Sequence, residues 1–466
     1  MVGFHSSALD GVAANPALPT PLLLRLLAFD GGGEGPPFQA LYRPGLPDAA
    51  VAAIVAHPLA GVRIDFARSA QAEPGQRARL VDDPDPEVRA ALAWGPDRNH
   101  DPRRPVRPLP DPVCGRLLAD PEPAVRERLL RSRHLAPRFL ASLARHPDPA
   151  ARRAALRVPE ALAADERAGL LDDPDPGVRR AAALCACPGD ARLTSALLRD
   201  PAARPEALRR GLLRRADAER FLAEDVHPAD LARNPFLPAD LVDRLAVHPD
   251  ESVRRAVSLR PELTEARRAA IDRTAGPLVG ADDDVDWVAA GIADQEVLRR
   301  AATSSHPLLR RAAARSPHLP SDLLRLLAAD EDVIVLTHLA VHHPDTPERV
   351  LMRVYARLGG TFSAWMATGH PRFPREGLAA RFADHPEGRY RQLAVRDPEA
   401  GPGLIERLSH DPDVRTRQAA AADPRLPLPR LLAVLALPET ACGAGANPAL
   451  PEREMARVMD GAGVPR

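Results

Sequence analysis

The sequence predicts an all-α fold, a solenoid in which short pairs of helices repeat along the chain. Three observations predict it: a proline-punctuated repeat of about 26 residues, apolar stripes with helical spacing inside each repeat, and an aromatic-poor apolar composition. Hydrophobic residues make up 45% of the 466 residues, but aromatic residues make up only 3%. A core of Leu, Val and Ala is therefore expected, and such small side chains suit closely packed short helices.

Two short motifs mark the repeat. Leu-Pro, or Phe-Pro, follows a turn at seven places: Leu18-Pro19, Leu46-Pro47, Leu237-Pro238, Leu319-Pro320, Phe373-Pro374, Leu426-Pro427 and Leu450-Pro451. Asp-Pro-Asp-Pro-x-Val-Arg is clearest at residues 83–89 and 173–179. Degenerate copies carry the Val-Arg pair at Val62-Arg63, Val125-Arg126, Ala151-Arg152, Val253-Arg254, Leu309-Arg310 and Tyr390-Arg391.

The spacing of these motifs predicts one continuous array. Val62 and Val88 are 26 residues apart, and Leu319 and Phe373 are 54 apart, which is two units. Because each repeat packs only against its neighbours, an array can exceed the length of a typical globular domain. We therefore expect a single array over residues 1–466, with about 16–18 units.

The segment 234–261 shows how one unit is built. Its first turn contains a proline, and Pro238 is predicted to be the first residue of an α-helix of about ten residues. Pro249 ends that helix, and Pro261 confines a second helix to about residues 250–259. The second helix is therefore predicted to be shorter and possibly 3₁₀. The first helix has an apolar stripe formed by Leu241, Val242, Leu245 and Ala246.

The two motifs together resemble the leucine-rich repeat variant, a family similar to HEAT and armadillo solenoids. The resemblance covers most of the chain and implies a right-handed superhelix of alternating α and 3₁₀ helices. One type of protein in that family carries a cysteine-ligated iron–sulfur cluster ahead of its repeats. The first cysteine here, Cys114, lies inside the array, so no cofactor is expected.

The repeated aspartates and arginines have two possible roles. Asp85 and Asp175 precede prolines and are predicted to cap the second helices. The arginines could form a hydrogen-bonded Asp–Arg ladder between repeats, as in the similar HEAT repeats, or a row of ligand-binding groups. We favour the structural role for Asp83, Asp85, Arg89, Asp173, Asp175, Arg179 and Arg254.

Three segments interrupt the register. Residues 30–37 form a glycine-rich loop, residues 95–115 form an insertion, and residues 281–296 form a degenerate acidic unit. Insertions in repeat arrays often lie on the binding face. The candidate binding residues are four arginines of the insertion and the three tryptophans, although a solvated loop and ordinary core packing explain them as well. They are Arg98, Arg103, Arg104 and Arg107, with Trp94, Trp287 and Trp365.

Two weaker groups could bind a metal. His338 and His342 are four residues apart, which places both imidazoles on one face of a helix. Cys185 and Cys187 form a C-x-C pair without a second pair nearby, whereas a structural zinc site needs four ligands. A half-exposed helix surface and buried small side chains are the favoured interpretations, and no metal is predicted.

Composition narrows the function. The formal net charge is zero, with 63 basic and 63 acidic residues, and every basic residue is arginine. Balanced charge argues against non-specific nucleic-acid binding. We find no signal peptide and no membrane span, which favours the cytoplasm. The sequence predicts a non-catalytic scaffold that binds a protein or peptide along a concave surface, with a nucleic-acid-binding solenoid as the alternative and an enzyme or metalloprotein as a third hypothesis.

Overall fold

The chain folds into short helices. The computed structural model describes residues 7–33, 35–96, 106–271, 285–359 and 366–466, and within these ranges it contains no β-strand. The predicted all-α class is confirmed. No described helix is both long and apolar enough to cross a bilayer.

The described chain divides into two compact units. Unit 1 is discontinuous and comprises residues 1–136 and 374–466. It contains one 3₁₀ turn, Ala78–Leu80. Its described α-helices are Ser7–Ala14, Thr20–Leu27, Phe38–Leu41, Asp48–Val55, Ala60–Ala67, Pro74–Arg77, Pro86–Trp94, Asp111–Leu118, Pro123–Arg131, Leu378–Phe382, Gly388–Val395, Pro402–Leu408, Val414–Ala421, Leu428–Leu435, Ala441–Gly445 and Glu452–Gly461.

Unit 2 is continuous and comprises residues 137–373. It contains three 3₁₀ turns, Leu143–Arg145, Pro159–Ala161 and Cys187–Gly189. Its α-helices with described bounds are Pro137–Ser142, Pro149–Ala155, Ala164–Leu171, Pro176–Ala186, Ala191–Leu197, Arg204–Arg210, Arg215–Ala223, Pro228–Arg233, Ala239–Ala246, Glu251–Ser258, Glu265–Ala270, Asp286–Ala290, Gln295–Ala302, Pro307–Arg315, Ser321–Leu327, Val333–His342 and Glu348–Leu358.

The Leu-Pro motif starts the first helix of a repeat, but not as predicted. Pro238 is the N-cap of the helix Ala239–Ala246 and has an extended backbone, with φ −57° and ψ 143°. Pro47, Pro320 and Pro451 are N-caps of the same kind. A proline at this position fixes φ while its carbonyl accepts the first hydrogen bond of the helix, so the expectation that Pro238 is the first helical residue was wrong.

The second helices are also not as predicted. They are α-helical, and they are as long as the first helices rather than shorter. The second helices Pro86–Trp94 and Glu251–Ser258 have 9 and 8 residues, and the first helix Ala239–Ala246 has 8. Pro86 and Pro149 are first helical residues, where the missing N–H costs nothing. Eight or nine residues between prolines therefore suffice for two α-turns, and the 3₁₀ prediction was wrong.

Packing within each unit runs from one second helix to the next. Ala60–Ala67 packs on Pro86–Trp94, which packs on Pro123–Arg131, and in unit 2 Pro228–Arg233 packs on Glu251–Ser258. The buried side chains at these contacts are Val, Ala and Leu, for example Val88, Ala91 and Leu92. Small side chains allow helices to approach closely, as the aromatic-poor composition predicted.

In unit 1 this packing joins the two ends of the described chain. Ser7–Ala14 packs on Ala441–Gly445, and Asn15 donates from Nδ2 to the carbonyls of Gly445 (2.8 Å) and Asn447 (2.7 Å). Arg25 donates to the carbonyl of Val464 (2.6 Å) and pairs with Asp460. We call this contact between residues 7–25 and 441–465 the early–late interface.

Glycines set the distance across the early–late interface. A Cβ on Gly11 would overlap the carbonyl oxygen of Cys442, and one on Gly445 would overlap the carbonyl oxygen of Ala8. The backbones of these two helices therefore approach more closely than any other side chain permits. Asn447 makes the same pair of hydrogen bonds one repeat earlier in the chain: its Nδ2 donates to the carbonyls of Ala421 (2.9 Å) and Asp423 (2.7 Å). The hydrogen bonds of Asn15 across the early–late interface therefore match those between successive repeats.

Candidate functional site

The N-terminal ends of the second helices carry a ladder of buried ion pairs. Arg63 donates from Nε and Nη2 to both carboxylate oxygens of Asp83, at 2.7 and 3.0 Å. The carboxylate belongs to the next repeat and not to the aspartate just before the arginine. The same bidentate pairing recurs in Arg89–Asp120, Arg152–Asp173, Arg310–Asp330 and Arg391–Asp411.

Arginines at this position also donate a hydrogen bond to the backbone turn that precedes their own helix. Arg89 donates from Nη1 to the carbonyl of Asp83 (2.6 Å), six residues earlier. Arg179 and Arg254 make the equivalent bond to Asp173 and His248, both at 2.6 Å. One guanidinium thus joins two repeats and closes a turn. We call this end of the second helices the ladder edge.

The aspartates of the ladder edge have two distinct tasks. Asp85 and Asp175 cap their helices by accepting from the backbone N–H of Glu87 and Val178, both at 2.9 Å. The ladder carboxylates accept from arginine, which favours the ionised form. The guanidinium of Arg152 accordingly holds the pKa of Asp173 below its usual value, and Arg89 does the same for Asp120.

The C-terminal ends of the second helices carry a different device, a buried polar side chain in the following turn. Asn234 is fully buried, and its Nδ2 donates to the carbonyls of Leu208 (2.7 Å) and Gly211 (2.9 Å) of the preceding repeat. We call this end the turn edge. Residues at the same position that bond to a carbonyl of the neighbouring repeat are Asn15, Ser132, Ser316, His343, His370 and Asn447.

Arginines recur on the turn edge immediately before the turn residue. Five repeats have one: Arg68, Arg131, Arg233, Arg315 and Arg396. All except the half-buried Arg68 are exposed. A cation is favoured at the C-terminus of a helix by the helix dipole. The turn edge therefore combines buried polar links with exposed positive charge.

A cleft of about 330 Å³ opens on the turn edge of unit 2. Its walls come from the helices Arg204–Arg210, Pro228–Arg233 and Glu251–Ser258, from the turns after the last two, and from the start of the helix Asp286–Ala290. Its polar groups are three guanidinium groups, one carboxylate and one indole. The lining residues are Arg209, Arg233, Pro235, Ala256, Leu259, Arg260, Pro261, Val285, Asp286 and Trp287.

Arg260 is the fixed charge of this cleft. It is 3% exposed, and its Nη1 donates to the carbonyls of Ala232 (2.7 Å) and Asn234 (2.6 Å), while Nε pairs with Glu262. Among the described residues its buried Nη2 has no hydrogen-bond partner. Three contacts anchor the side chain, so its charge contributes to the cleft but cannot move toward a ligand.

The other two arginines differ in their freedom. Arg209 is half-buried and pairs with Glu206 at 2.7 Å. Burial opposes the ionised form of Arg209, but the hydrogen bond to Glu206 and the negative charges of Glu206, Asp286 and Asp230 together raise the pKa of Arg209 above its usual value. Arg233 is exposed, and its side chain forms no hydrogen bond or ion pair with another described residue. Arg233 is therefore the arginine that can reorient onto a ligand.

Trp287 forms one wall of the cleft and is held from two sides. Its indole N–H donates to the carbonyl of Leu259 at 2.8 Å. The guanidinium of Arg300 lies over the ring, 5.4 Å from its centroid, and also donates to the carbonyl of Pro261. One face of the ring is thus engaged by a cation, and the half-buried indole is fixed in orientation.

Of the other predicted binding residues, only Arg107 and Trp94 are among the described residues, and neither lines the cleft. Arg98, Arg103, Arg104 and Trp365 fall outside the described residues. Arg107 forms an exposed ion pair with Glu73 at 2.9 Å. The last five residues of the predicted insertion, 111–115, are instead the start of the helix Asp111–Leu118.

Trp94 lies in unit 1 and does not line the cleft. It is half-buried at the end of its helix and lines an open groove with Ala124, Glu127, Arg128 and Arg131. The structure therefore brings Trp287, but not Trp94, together with the cleft arginines.

The predicted metal candidates do not gather further ligands. The rings of His338 and His342 have centroids 5.9 Å apart. Burial lowers the pKa of each to about 4, with a smaller contribution from a neighbouring histidine. Burial also raises the pKa of the Cys187 thiol to about 11. Within the described ranges no three His, Cys, Asp or Glu side chains are placed to share a metal ion.

Sequence reasoning missed three of the four groups that define the cleft, Arg209, Arg233 and Arg260. A signal for one of them was present, because an arginine directly before the buried turn residue recurs in five repeats. Arg260 occupies the turn position itself, where other repeats have Asn or Ser. Comparison of the sequence with protein-family models and with curated proteins gives no match.

Proposed function

We propose that this chain is a non-catalytic helical-repeat scaffold, a solenoid similar to the leucine-rich repeat variant, that binds a protein or peptide along a concave surface. Recurrent helix pairs, repeat-to-repeat ion pairs and buried turn residues support the repeat organisation. Repeat arrays use such extended surfaces to bind extended partners.

The observation that carries this proposal is the unit 2 cleft. Its walls come from consecutive repeats, so a ligand lying across the repeats meets Arg233, Arg260 and Trp287 in turn. Tryptophan and arginine are the side chains that most often anchor protein interfaces. Pro235 and Pro261 stiffen the rim, which reduces the entropy lost when a partner binds.

The cleft favours binding over catalysis. Its polar groups are guanidinium and indole donors with the single carboxylate of Asp286, which is exposed. Guanidinium groups remain protonated and do not act as general bases. We therefore assign Arg209, Arg233, Arg260 and Trp287 a binding role and no catalytic role.

Nucleic-acid binding is the second candidate, and the exposed arginines of the turn edge favour it. The balanced net charge and the pairing of the ladder arginines with carboxylates oppose it. The two candidates differ in salt dependence, because each phosphate contact releases counterions and steepens the loss of affinity with added salt.

Selection from a random phage-displayed peptide library tests the proposed function. We expect enriched peptides that bind the full chain, with binding lost in Trp287→Ala and retained in Trp94→Ala. If no sequence is enriched, or if enriched peptides bind both variants equally, the peptide-binding role of this cleft is rejected. A decamer of uridine that binds more tightly than any peptide, with affinity falling steeply between 50 and 200 mM salt, would favour nucleic acid instead.

A further inference from the structure

Arginine lines much of the unit 2 cleft, with three guanidinium groups and the one carboxylate of Asp286 among its lining side chains. Arg260 pairs with Glu262 and Arg209 with Glu206, so both are anchored and balanced by a carboxylate. Arg233 is exposed and free to pair with an incoming group.

The helix ends that border the cleft would normally repel an anion. The C-terminal carbonyls of a helix carry partial negative charge. Here the carbonyls of Ala232 and Asn234 accept from Arg260, and the carbonyl of Leu259 accepts from Trp287. These hydrogen bonds offset the negative helix ends, so Arg233, which has no carboxylate partner among the described residues, is the cation left to attract an anion.

The apolar part of the cleft lies beside this charge. Ala256, Leu259 and the ring of Trp287 adjoin the arginines, with a prolyl ring on each side. A volume of about 330 Å³ is at the lower end of small-ligand sites. Such a site suits one or two side chains of an extended peptide.

Two ligands carry an anion next to an apolar or aromatic group, an acidic peptide and a single-stranded nucleic acid. A nucleobase needs an open aromatic face for stacking. Arg300 lies over one face of Trp287, which leaves that face closed to a base. Arg233 and a planar carboxylate can form the bidentate pair that guanidinium groups favour. The geometry therefore favours the peptide.

We propose that the cleft lined by Arg209, Arg233, Arg260 and Trp287 binds an acidic side chain of a peptide, with its carboxylate on Arg233 and a neighbouring apolar residue against Trp287. This assignment rests on the proposed function and specifies the ligand chemistry of the same site. It places recognition at the turn edge and not in the insertion near residue 95.

The test compares two fluorescein-labelled hexapeptides, (Glu-Leu)₃ and (Gln-Leu)₃, by fluorescence anisotropy with the full chain. We expect the acidic peptide to bind about tenfold more tightly or better, and Arg233→Gln to remove that preference. Trp287→Ala should weaken both peptides, because it removes the shared apolar contact. Arg192→Gln is the matched control, since Arg192 is also exposed in unit 2 and makes no side-chain contact within the described ranges.

Each other outcome has a defined meaning. Equal affinity for the two peptides, or an equal loss in Arg192→Gln, overturns the acidic-ligand assignment. Competition by millimolar inorganic phosphate or by a uridine decamer as strong as that by (Glu-Leu)₃ overturns the choice of a peptide. If peptides from the display selection bind through Trp287 but are not acidic, the proposed function stands and this inference fails. If no peptide binds at all, both fail.

Discussion

The two ends of the second helices use arginine in opposite ways. At the ladder edge, Arg63 and its equivalents are paired with a carboxylate of the next repeat and shielded from solvent. At the turn edge, Arg233 lies in the last helical turn and is exposed beside the buried turn residue Asn234. The comparison teaches that the end of a helix at which an arginine lies decides whether it links two helices through a carboxylate or, like Arg233, remains exposed.

The largest expected effect is at the ladder edge. Asp83→Ala removes the carboxylate that pairs with Arg63. Both side chains of this pair are buried: that of Arg63 is 10% exposed and that of Asp83 is 3% exposed. A charge left unpaired at a buried site costs about 3–5 kcal/mol, and urea unfolding followed by circular dichroism should show a loss of this size. Asp82→Ala, next in sequence, removes an exposed ion pair with Arg116 and should cost less than about 1 kcal/mol. Similar losses for both variants would contradict a special role for the ladder.

The turn edge should contribute almost as much to the free energy of unfolding, through hydrogen bonds between uncharged groups. Asn234→Ala leaves the buried carbonyls of Leu208 and Gly211 without their donor, at a cost of about 2–3 kcal/mol. Asn234→Ser should recover part of this loss, because Ser132 and Ser316 make one such bond at the same position. If serine is no better than alanine in urea unfolding, the turn residue acts by shape and not by hydrogen bonding.

A third test measures how tightly the two helices of the early–late interface pack. Gly11→Ala places a Cβ against the carbonyl of Cys442 and should destabilise unit 1 by about 1–3 kcal/mol. Gly61→Ala is the matched control, since Gly61 lies in a helix with open space around it and should gain about 0.5–1 kcal/mol. We expect Gly11→Ala to lower the melting temperature and Gly61→Ala to raise it. If both variants raise it, the backbones at the early–late interface can move apart to accommodate a Cβ.

Two half-buried histidines and the ladder edge should titrate at different pH values. His338 and His342 are uncharged in the fold at neutral pH because burial lowers the pKa of each to about 4, against about 6.5 for an unfolded histidine. Unfolding then takes up protons, so stability falls as pH drops from about 6.5 to 4, by on the order of 3 kcal/mol per histidine. At the ladder edge the pKa values of Asp120 and Asp173 are lowered by arginine, so their contribution is lost only below about pH 4.

Urea midpoints measured from pH 7 to pH 3 should resolve these two ranges. His342→Gln should flatten the loss between pH 6.5 and 4 and leave the lower range intact. Asp173→Asn should flatten the lower range alone. A single transition that neither variant alters would mean that other groups control the acid sensitivity.

Much of the fold could be predicted from local sequence. The Leu-Pro and Asp-Pro motifs locate the helix starts, because proline constrains its own φ and the preceding residue. Asp85 and Asp175 cap helices as their position before proline indicated. The relative length of the second helix was misjudged, because the eight or nine residues between flanking prolines already suffice for a full α-helix, as in Pro86–Trp94 and Glu251–Ser258.

The cleft and the early–late interface could not be predicted in this way. Arg209, Arg233 and Arg260 are 24 and 27 residues apart, so their proximity depends on the rotation from one repeat to the next. Trp287 was singled out as a rare large side chain, but the sequence did not indicate what lies beside it. The contact of Asn15 with Gly445 joins residues 430 apart in sequence, which no local motif encodes.

The discontinuity of unit 1 sets an order of events during synthesis. Residues 137–373 leave the ribosome as one uninterrupted block, so unit 2 has all its residues while unit 1 still lacks residues 374–466. The hydrogen bonds of Asn15 can therefore form only after Gly445 and Asn447, more than 400 residues later, have been synthesised. Domains generally fold as units while translation proceeds. The N-terminal part of unit 1 is therefore completed last, because Leu9, Val12 and Ala13 lack the helix Ala441–Gly445 that packs on them until that segment has been synthesised.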